Sequence, residues 1–130
     1  YIYQRVSNDD GTKVINYMKI YHNPRCKKSR ETLAILEEKN IEKEIILYLK
    51  NPPSPKELKK ILYLLNLTPL ELIRKEEKIF KEKIKGQNFS NDDYIEMMCE
   101  FPIIIQRPII IKNERAVIGR PPTKVLDLLK

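Results

Sequence analysis

The segment of this sequence that is richest in reactive side chains is residues 22–30, which read HNPRCKKSR. Cys26 stands where a short apolar strand, predicted for residues 18–21, gives way to a predicted helix over residues 29–39. The first N–H groups of a helix are unpaired, and the positive end of the helix favours an anion. A thiolate at this position would accept hydrogen bonds from those amides, and such a setting lowers a cysteine pKa from ~8.5 towards ~3.5–7.5.

Cations crowd around this cysteine in the sequence. Those within four residues of it are Arg25, Lys27, Lys28 and Arg30. They make a poor environment for an inert, buried thiol, so we predict that Cys26 is reactive. The same amides and cations would bind a tetrahedral oxyanion beside the sulfur, so the nucleophile and the anion site would coincide.

The neighbours of the thiol leave alternatives open. Ser29 ends a C-x-x-S string, and its hydroxyl either stabilises the Cys26 thiolate or caps the helix. His22 is either a partner of the thiolate or a structural residue at the strand end. A cysteine phosphatase is excluded, because Thr32 stands where the C-x5-R spacing requires arginine. Cys99, at the apolar end of another predicted helix, is expected to be structural.

Composition excludes several functional classes. The chain has 130 residues, of which 42% are hydrophobic, and this suffices for one core. Lys and Arg exceed Asp and Glu by 25 to 18, which favours an anionic partner such as a nucleic acid or an oxyanion, but the charges alternate in sign, as on solvated helix faces. Charge alone does not decide between these interpretations; since basic and aromatic residues do not interleave as in RNA-binding proteins, we expect no direct nucleic-acid partner. One His and two Cys cannot build the usual four-ligand zinc site. We therefore expect no bound metal. No apolar run is long enough to span a membrane, so we expect a soluble cytoplasmic domain.

Strands and helices alternate along the chain. Strands are predicted over residues 18–21, 44–49, 103–105, 109–111 and 116–118, and helices over residues 29–39, 54–65, 90–99, from 68 and from 121. The resulting order is β-α-β-α, an all-helical insertion, then β-β-α, which predicts an α/β fold with a mixed sheet flanked by helices. Residues 1–17 differ in character and are interpreted as an N-terminal extension or a cloning remnant, which leaves residues 18–130 as the domain.

The segment around Cys26, YHNPRCKKSRETL, closely resembles the active-site segment of glutaredoxin-coupled arsenate reductases and their Spx-like relatives. Further matches follow in the same order along the chain: YLKNPP at 48–53, LIRK at 72–75, PIIIQRP at 102–108, and GRP at 119–121 before VLD at 125–127. The resemblance covers residues 18–129, and the number of separate motifs at compatible spacing makes it specific.

The resemblance implies a thioredoxin-like fold with an all-helical insertion and a cis peptide bond before Pro108. It implies that Cys26 is the nucleophile, with His22 and Ser29 beside it. It assigns oxyanion binding to three arginines: Arg74, Arg107 and Arg120. From the residue pattern alone, each of these arginines would be interpreted as a surface residue.

The implied activity is the reduction of arsenate to arsenite. Because the motif holds no second cysteine to resolve the adduct, the reductant would come from outside the chain: glutathione as co-substrate and glutaredoxin as protein partner. The resemblance implies no bound cofactor. Two other functions stay open: an Spx-like regulator that binds RNA polymerase, and a general thiol–disulfide oxidoreductase. Ser29 weighs against the regulator, since such sensors often carry C-x-x-C.

Overall fold

The structure, a computed structural model, describes the backbone of residues 4–7 and 13–16 and all of residues 18–130. Part of the expected N-terminal extension therefore lies outside the described residues, namely residues 1–3, 8–12 and 17. Its described parts are strands β1 (Gln4–Ser7) and β2 (Lys13–Asn16), which pair antiparallel as a two-stranded sheet of their own.

The chain divides into two compact units. The first comprises Tyr1–Leu47 and Arg107–Lys130, and the second is Tyr48–Gln106. In the chain, the second unit lies between the two segments of the first, and it includes the helix predicted over residues 54–65, which the sequence analysis places before the insertion. Within the described residues, no helix is both long enough and apolar enough to cross a membrane.

The first unit is built on a mixed four-stranded sheet. Its strands are β3 (Met18–Tyr21), β4 (Glu44–Ile46), β5 (Ile109–Lys112) and β6 (Arg115–Ile118), in the spatial order β4-β3-β5-β6. β3 and β4 are parallel, whereas the β3–β5 and β5–β6 pairs are antiparallel. Tyr21, the last residue of β3, lies opposite both Ile46 and Ile109. The carboxyl end of β3 is thus next to the start of β5.

Helix α1 (Lys27–Glu38) connects the two parallel strands, and a 3₁₀ helix (Pro122–Leu129) ends the chain. Leu36 of α1 and Val125 of the 3₁₀ helix pack with Ile20 and Ile110 in one fully buried cluster. Burying apolar side chains of this size stabilises a fold by roughly 1.5–3 kcal/mol each. This cluster fixes α1, and therefore its first turn, against the sheet.

The second unit contains helices α2 (Pro55–Leu65), α3 (Lys78–Lys83) and α4 (Asn91–Glu100). The capping residues determine where two of them begin. The Ser54 hydroxyl accepts from the Glu57 N–H at 3.1 Å, and Ser90 forms a reciprocal capping box with Asp93.

One predicted strand is shorter than expected, and two other predicted elements are wrong. The strand predicted over residues 44–49 ends at Ile46 and continues as a turn. The helix predicted from residue 68 is a single 3₁₀ turn, Leu70–Leu72, because the chain at Ile73 turns extended and bridges to Ile105. The strand predicted over residues 103–105 is a 3₁₀ turn, Pro102–Ile104, with only that bridge after it. Pro102 cannot donate to a β-ladder, so β-branched composition does not suffice there.

Candidate active site

Cys26 is the N-cap of α1, which begins two residues before the start predicted at residue 29. Its backbone is extended (φ −92°, ψ 123°), its carbonyl accepts from the Arg30 N–H at 3.0 Å, and its own N–H donates to the Asn23 carbonyl at 3.0 Å. The thiol is partly buried. A sulfur in this position is reachable from solvent while it faces the positive end of a helix.

A buried network holds the loop between β3 and α1. The Ser29 hydroxyl is fully buried; it accepts from the Asn23 N–H at 3.0 Å and is hydrogen-bonded to His22 Nδ1 at 2.6 Å. Asn23 Oδ1 in turn accepts from the Arg25 N–H at 3.0 Å. The sequence offers two roles for the Ser29 hydroxyl, stabilising the thiolate or capping α1. Its hydrogen bonds in the structure fit neither, since they link α1 to the loop that precedes it.

His22 takes part in this network and is itself buried. Burial lowers its pKa, with Arg30 acting in the same direction and Glu37 opposing it. The imidazole is therefore neutral at neutral pH, which suits a ring nitrogen that shares a hydrogen bond with a serine. His22 is hydrogen-bonded to the side chain of Ser29, whose backbone amide faces the sulfur.

Two guanidinium groups face the sulfur. Arg120 Nη1 lies 4.0 Å from Cys26 Sγ and also donates to the Arg107 carbonyl at 3.0 Å. Arg107 is only 9% exposed, so the surface position inferred from the residue pattern alone is wrong for it. The structure thus brings Cys26, Arg107 and Arg120 together, in agreement with the resemblance.

The pKa of the Cys26 thiol reflects these neighbours. Partial burial raises it, but the Ser29 backbone amide, the Arg107 guanidinium and Arg120 together outweigh burial, so the pKa lies below its ordinary value. The side chain makes no capping hydrogen bond to α1 in the structure, yet the Ser29 N–H lies where it favours the charged form. The fold therefore favours a thiolate.

The β5–β6 hairpin explains how residues distant in sequence meet at Cys26. Arg107 precedes β5 and Arg120 follows β6 closely, so both lie at one end of the hairpin, where Ile109 pairs with Ile118. Since β5 also pairs with β3, that end lies beside the carboxyl end of β3, from which the chain leads to Cys26. Both arginines precede cis prolines: the one at Pro108 confirms the expectation, and the one at Pro121 is an additional finding.

Because it has no side chain, Gly119 allows the end of β6 to lie close to Thr32 of α1 and to Pro108. A Cβ there would lie 2.6 Å from Thr32 Oγ1 and 2.8 Å from Pro108 Cγ, closer than real side chains come. Its N–H donates to the Pro108 carbonyl at 2.9 Å. The sequence predictions give no role to Gly119 or Asn23. A glycine immediately before an arginine at a strand end is the one sequence signal for the former.

Arg74, the third predicted arginine, belongs to the second unit. Its Nε lies 3.1 Å from Glu76 Oε1 and 3.2 Å from Glu77 Oε2, and its side chain is 13% exposed. Its N–H donates to the Ile104 carbonyl at 2.7 Å. From the residue pattern alone it would be a surface residue, whereas the structure gives it two carboxylate partners and little exposure.

Cys99 differs from Cys26 in its electrostatics. Burial raises its pKa, and Glu96 and Glu57 raise it further. It stays a thiol at neutral pH, in line with the structural role predicted for it. Among the described residues, no group of three His, Cys, Asp or Glu side chains is placed to hold a metal ion.

The site around Cys26 combines two chemical capacities. A thiolate is a strong nucleophile, and preorganised guanidinium donors stabilise negative charge on a bound oxyanion. The exposed cations Arg25, Lys27, Lys28 and Arg30 add to the positive potential around the sulfur. Such a site can attack an electrophilic atom that carries several oxygens.

Comparison with known proteins agrees with this geometry. The sequence profile of the ArsC family matches residues 21–128. An arsenate reductase of Haemophilus influenzae is 39% identical over 112 residues, 85% of this chain and 97% of that protein. One of Neisseria meningitidis serogroup A is 39% identical over 106 residues, 80% of this chain and 91% of that protein.

A solved structure gives the same result for the fold. That of an arsenate reductase from Vibrio cholerae superposes with a TM-score of 0.82 at 42% identity, covering 86% of this chain and 97% of that one. The thioredoxin-like α/β fold expected from the resemblance is thereby confirmed. The chain belongs to the ArsC family.

Proposed function

We propose that this protein reduces arsenate to arsenite through the Cys26 thiolate, with glutathione as external co-substrate and glutaredoxin as the protein that regenerates the thiol. The observation that carries the proposal is the position of Arg120 Nη1, 4.0 Å from a sulfur whose pKa the fold lowers. The two relatives named arsenate reductase support arsenate as the substrate.

In the first step, the Cys26 thiolate attacks the arsenic of dihydrogen arsenate. A sulfur–arsenic bond forms, an arsenic–oxygen bond breaks, and the departing oxygen takes up protons and leaves as water, while arsenic stays in the +5 state. Arg107 and Arg120 neutralise the oxyanion during this step. Because the fold lowers the pKa of Cys26, a larger fraction of this thiol is ionised than of an ordinary cysteine.

In the second step, the sulfur of glutathione bonds to the Cys26 sulfur. The sulfur–arsenic bond breaks and its electron pair stays on arsenic, which becomes arsenic(III) and leaves as arsenite with the proton of glutathione. The two sulfurs are oxidised to a mixed disulfide. Ser29 stands where a resolving cysteine would be, so the reductant comes from outside the chain.

In the third step, a glutaredoxin thiolate attacks the glutathione sulfur of this disulfide. The Cys26 thiolate leaves, and the glutathionyl group passes to glutaredoxin. Since glutathione and glutaredoxin are reductants of the cytoplasm, we place the protein there. It needs no bound cofactor for this cycle.

Arg74 is included as the third oxyanion-binding arginine on the resemblance alone. Its assignment is tested separately from that of Arg107 and Arg120, by substitution. Guanidinium groups suit this role because their paired N–H donors match the oxygens of a tetrahedral anion.

The test is NADPH consumption in the presence of glutathione, glutaredoxin and glutathione reductase. We expect arsenate-dependent consumption with the wild type and with Cys99→Ser, and none above background with Cys26→Ser. Equal rates for wild type and Cys26→Ser would contradict the proposal. Turnover of a glutathionylated protein without any response to arsenate would instead indicate a general thiol–disulfide enzyme, and copurification with RNA polymerase without arsenate turnover would indicate a regulator.

A further inference from the structure

The turn formed by residues 74–77 holds the Arg74 guanidinium by one edge. Arg74 Nε donates to Glu77 Oε2 at 3.2 Å and lies 3.1 Å from Glu76 Oε1. Among the described residues, every side-chain hydrogen bond and ion pair of Arg74 uses Nε. The edge formed by Nη1 and Nη2 is left for another partner.

The two carboxylates are not equivalent. Glu76 is 61% exposed, and an ion pair with such an exposed partner contributes little to stability. Glu77 is 22% exposed, and its N–H also donates to the Arg74 carbonyl at 3.3 Å. Glu77 therefore contacts Arg74 through both backbone and side chain, and the carboxylate has little freedom to move away.

The backbone under Arg74 is fixed as well. The Arg74 N–H donates to the Ile104 carbonyl at 2.7 Å, and the Gln106 N–H donates to the Leu72 carbonyl at 2.8 Å. An arginine side chain loses rotamer entropy when it is ordered. With the backbone and Nε both held, much of that loss has already occurred before any anion binds.

We infer that Glu77 is a positioning residue: it takes the Nε edge of Arg74 and presents the Nη1–Nη2 edge for two-point binding of the substrate oxyanion. The inference rests on the proposed function, in which Arg74 binds arsenate. It makes a prediction of definite sign. By charge alone, removing a carboxylate next to Arg74 would strengthen anion binding, whereas loss of positioning weakens it.

The experiment measures how arsenate protects Cys26 from alkylation by iodoacetamide in the full chain, and the KM and kcat of arsenate reduction. Glu77→Ala is expected to raise the half-protecting arsenate concentration about fivefold to tenfold, and Glu77→Gln about twofold to fivefold, since the amide oxygen still accepts from Nε. KM is expected to rise with little change in kcat. Glu82→Gln, which removes an exposed carboxylate paired with Lys78 in α3, is the matched control and is expected to change neither value.

A double-mutant cycle separates positioning from mere structural support. If Glu77 acts through Arg74, Arg74→Ala alone and Arg74→Ala combined with Glu77→Ala weaken protection equally. Tighter or unchanged binding in Glu77→Gln, with Arg74→Ala still weakened, would overturn the inference and leave the proposed function intact. A Glu77→Ala effect that persists in full without Arg74 would also overturn it. Absence of protection by arsenate in the wild type would contradict the proposed function itself.

Discussion

Arg120 and Cys26 are separated by 94 residues in the sequence, yet Arg120 Nη1 lies 4.0 Å from Cys26 Sγ. The β5–β6 hairpin ends beside the carboxyl end of β3, so the residues that flank the hairpin reach the start of α1. A guanidinium at this distance favours the charged form of the sulfur. The antiparallel pairing of β5 with β3 is thus directly connected to the chemistry of the thiol.

Replacing Arg120 by Ala is expected to raise the Cys26 pKa and to lower kcat/KM for arsenate by about 100-fold, the scale of losing one preorganised donor to an oxyanion. Arg120→Lys keeps the positive charge, so its Cys26 pKa and its kcat/KM are expected to lie between those of the wild type and those of Arg120→Ala. The pKa is measured from the pH dependence of alkylation, and kcat/KM from coupled NADPH consumption.

Arg115→Ala is the control for this change, since Arg115 lies in the same hairpin but donates to the Asp127 carbonyl. It is expected to leave the Cys26 pKa unaltered. A thiol pKa that is the same in Arg120→Ala as in the wild type would contradict the role given to Arg120.

The stability of the fold should depend on pH through Cys26. Because its pKa is lower in the folded chain than the ordinary value of 9.0, the ionised sulfur stabilises the fold. This contribution is complete above pH 9.0 and is lost as the pH falls through the folded pKa. We expect the free energy of unfolding of the wild type, relative to Cys26→Ser, to rise from mildly acidic pH to pH 9, as measured by urea denaturation. A difference that falls or stays flat over this range would contradict the lowered pKa.

Gly119→Ala should disturb both stability and the site. The added methyl group would meet Thr32 and Pro108 at less than 3.0 Å, and overpacking of this kind costs about 1–3 kcal/mol. Because Arg120 is the next residue, we also expect weaker protection of Cys26 by arsenate. Thermal unfolding and alkylation measure the two effects.

Gly86→Ala is the matched control for Gly119. Gly86 has a positive φ of 79° and open space around it, so alanine there costs about 1–2 kcal/mol of backbone strain without a clash. It should destabilise the chain and leave the alkylation of Cys26 unchanged. Equal effects of both substitutions on Cys26 would show that Gly119 has no specific part in the site.

Ser29→Ala tests the network below the thiol. It removes the acceptor of the buried Asn23 N–H and the partner of His22, which should cost about 1–3 kcal/mol of stability. The backbone amide of Ser29 remains, so the Cys26 pKa should stay low. Thr32→Val is the control, because the Thr32 hydroxyl donates to the Lys28 carbonyl within α1, and the loss of this bond should cost less. A strongly raised thiol pKa in Ser29→Ala would show that the hydroxyl acts on the sulfur after all.

Much of this fold follows from local sequence signals. Ser54 with Pro55, and Ser90 with Asp93, mark the starts of α2 and α4 because capping is a local interaction. The prediction over residues 103–105 fails because β-branched composition does not tell a strand from a buried turn, and pairing depends on distant partners. Helix α3 is missed since its mixed Lys and Glu residues show little apolar periodicity.

The candidate site divides in the same way. Cys26 is predictable from residues next to it, because a strand end, a proline and a helix start lie within a few positions. Arg107 depends on the register of β5 against β3, which no local pattern encodes, so only the resemblance to a family identifies it. The need for glycine at position 119 comes from the closeness of Thr32 and Pro108, which only the structure reveals.

The most direct test is the pKa of Cys26, measured from the rate of iodoacetamide alkylation against pH, with and without arsenate. Cys99, whose pKa is raised, serves as the internal reference in the same molecule. We expect Cys26 in the free protein to titrate below an ordinary thiol and to react faster than Cys99 at pH 7, and arsenate to suppress its alkylation. A Cys26 that titrates like an ordinary thiol, and whose alkylation does not respond to arsenate, would contradict a thiolate poised beside an oxyanion site.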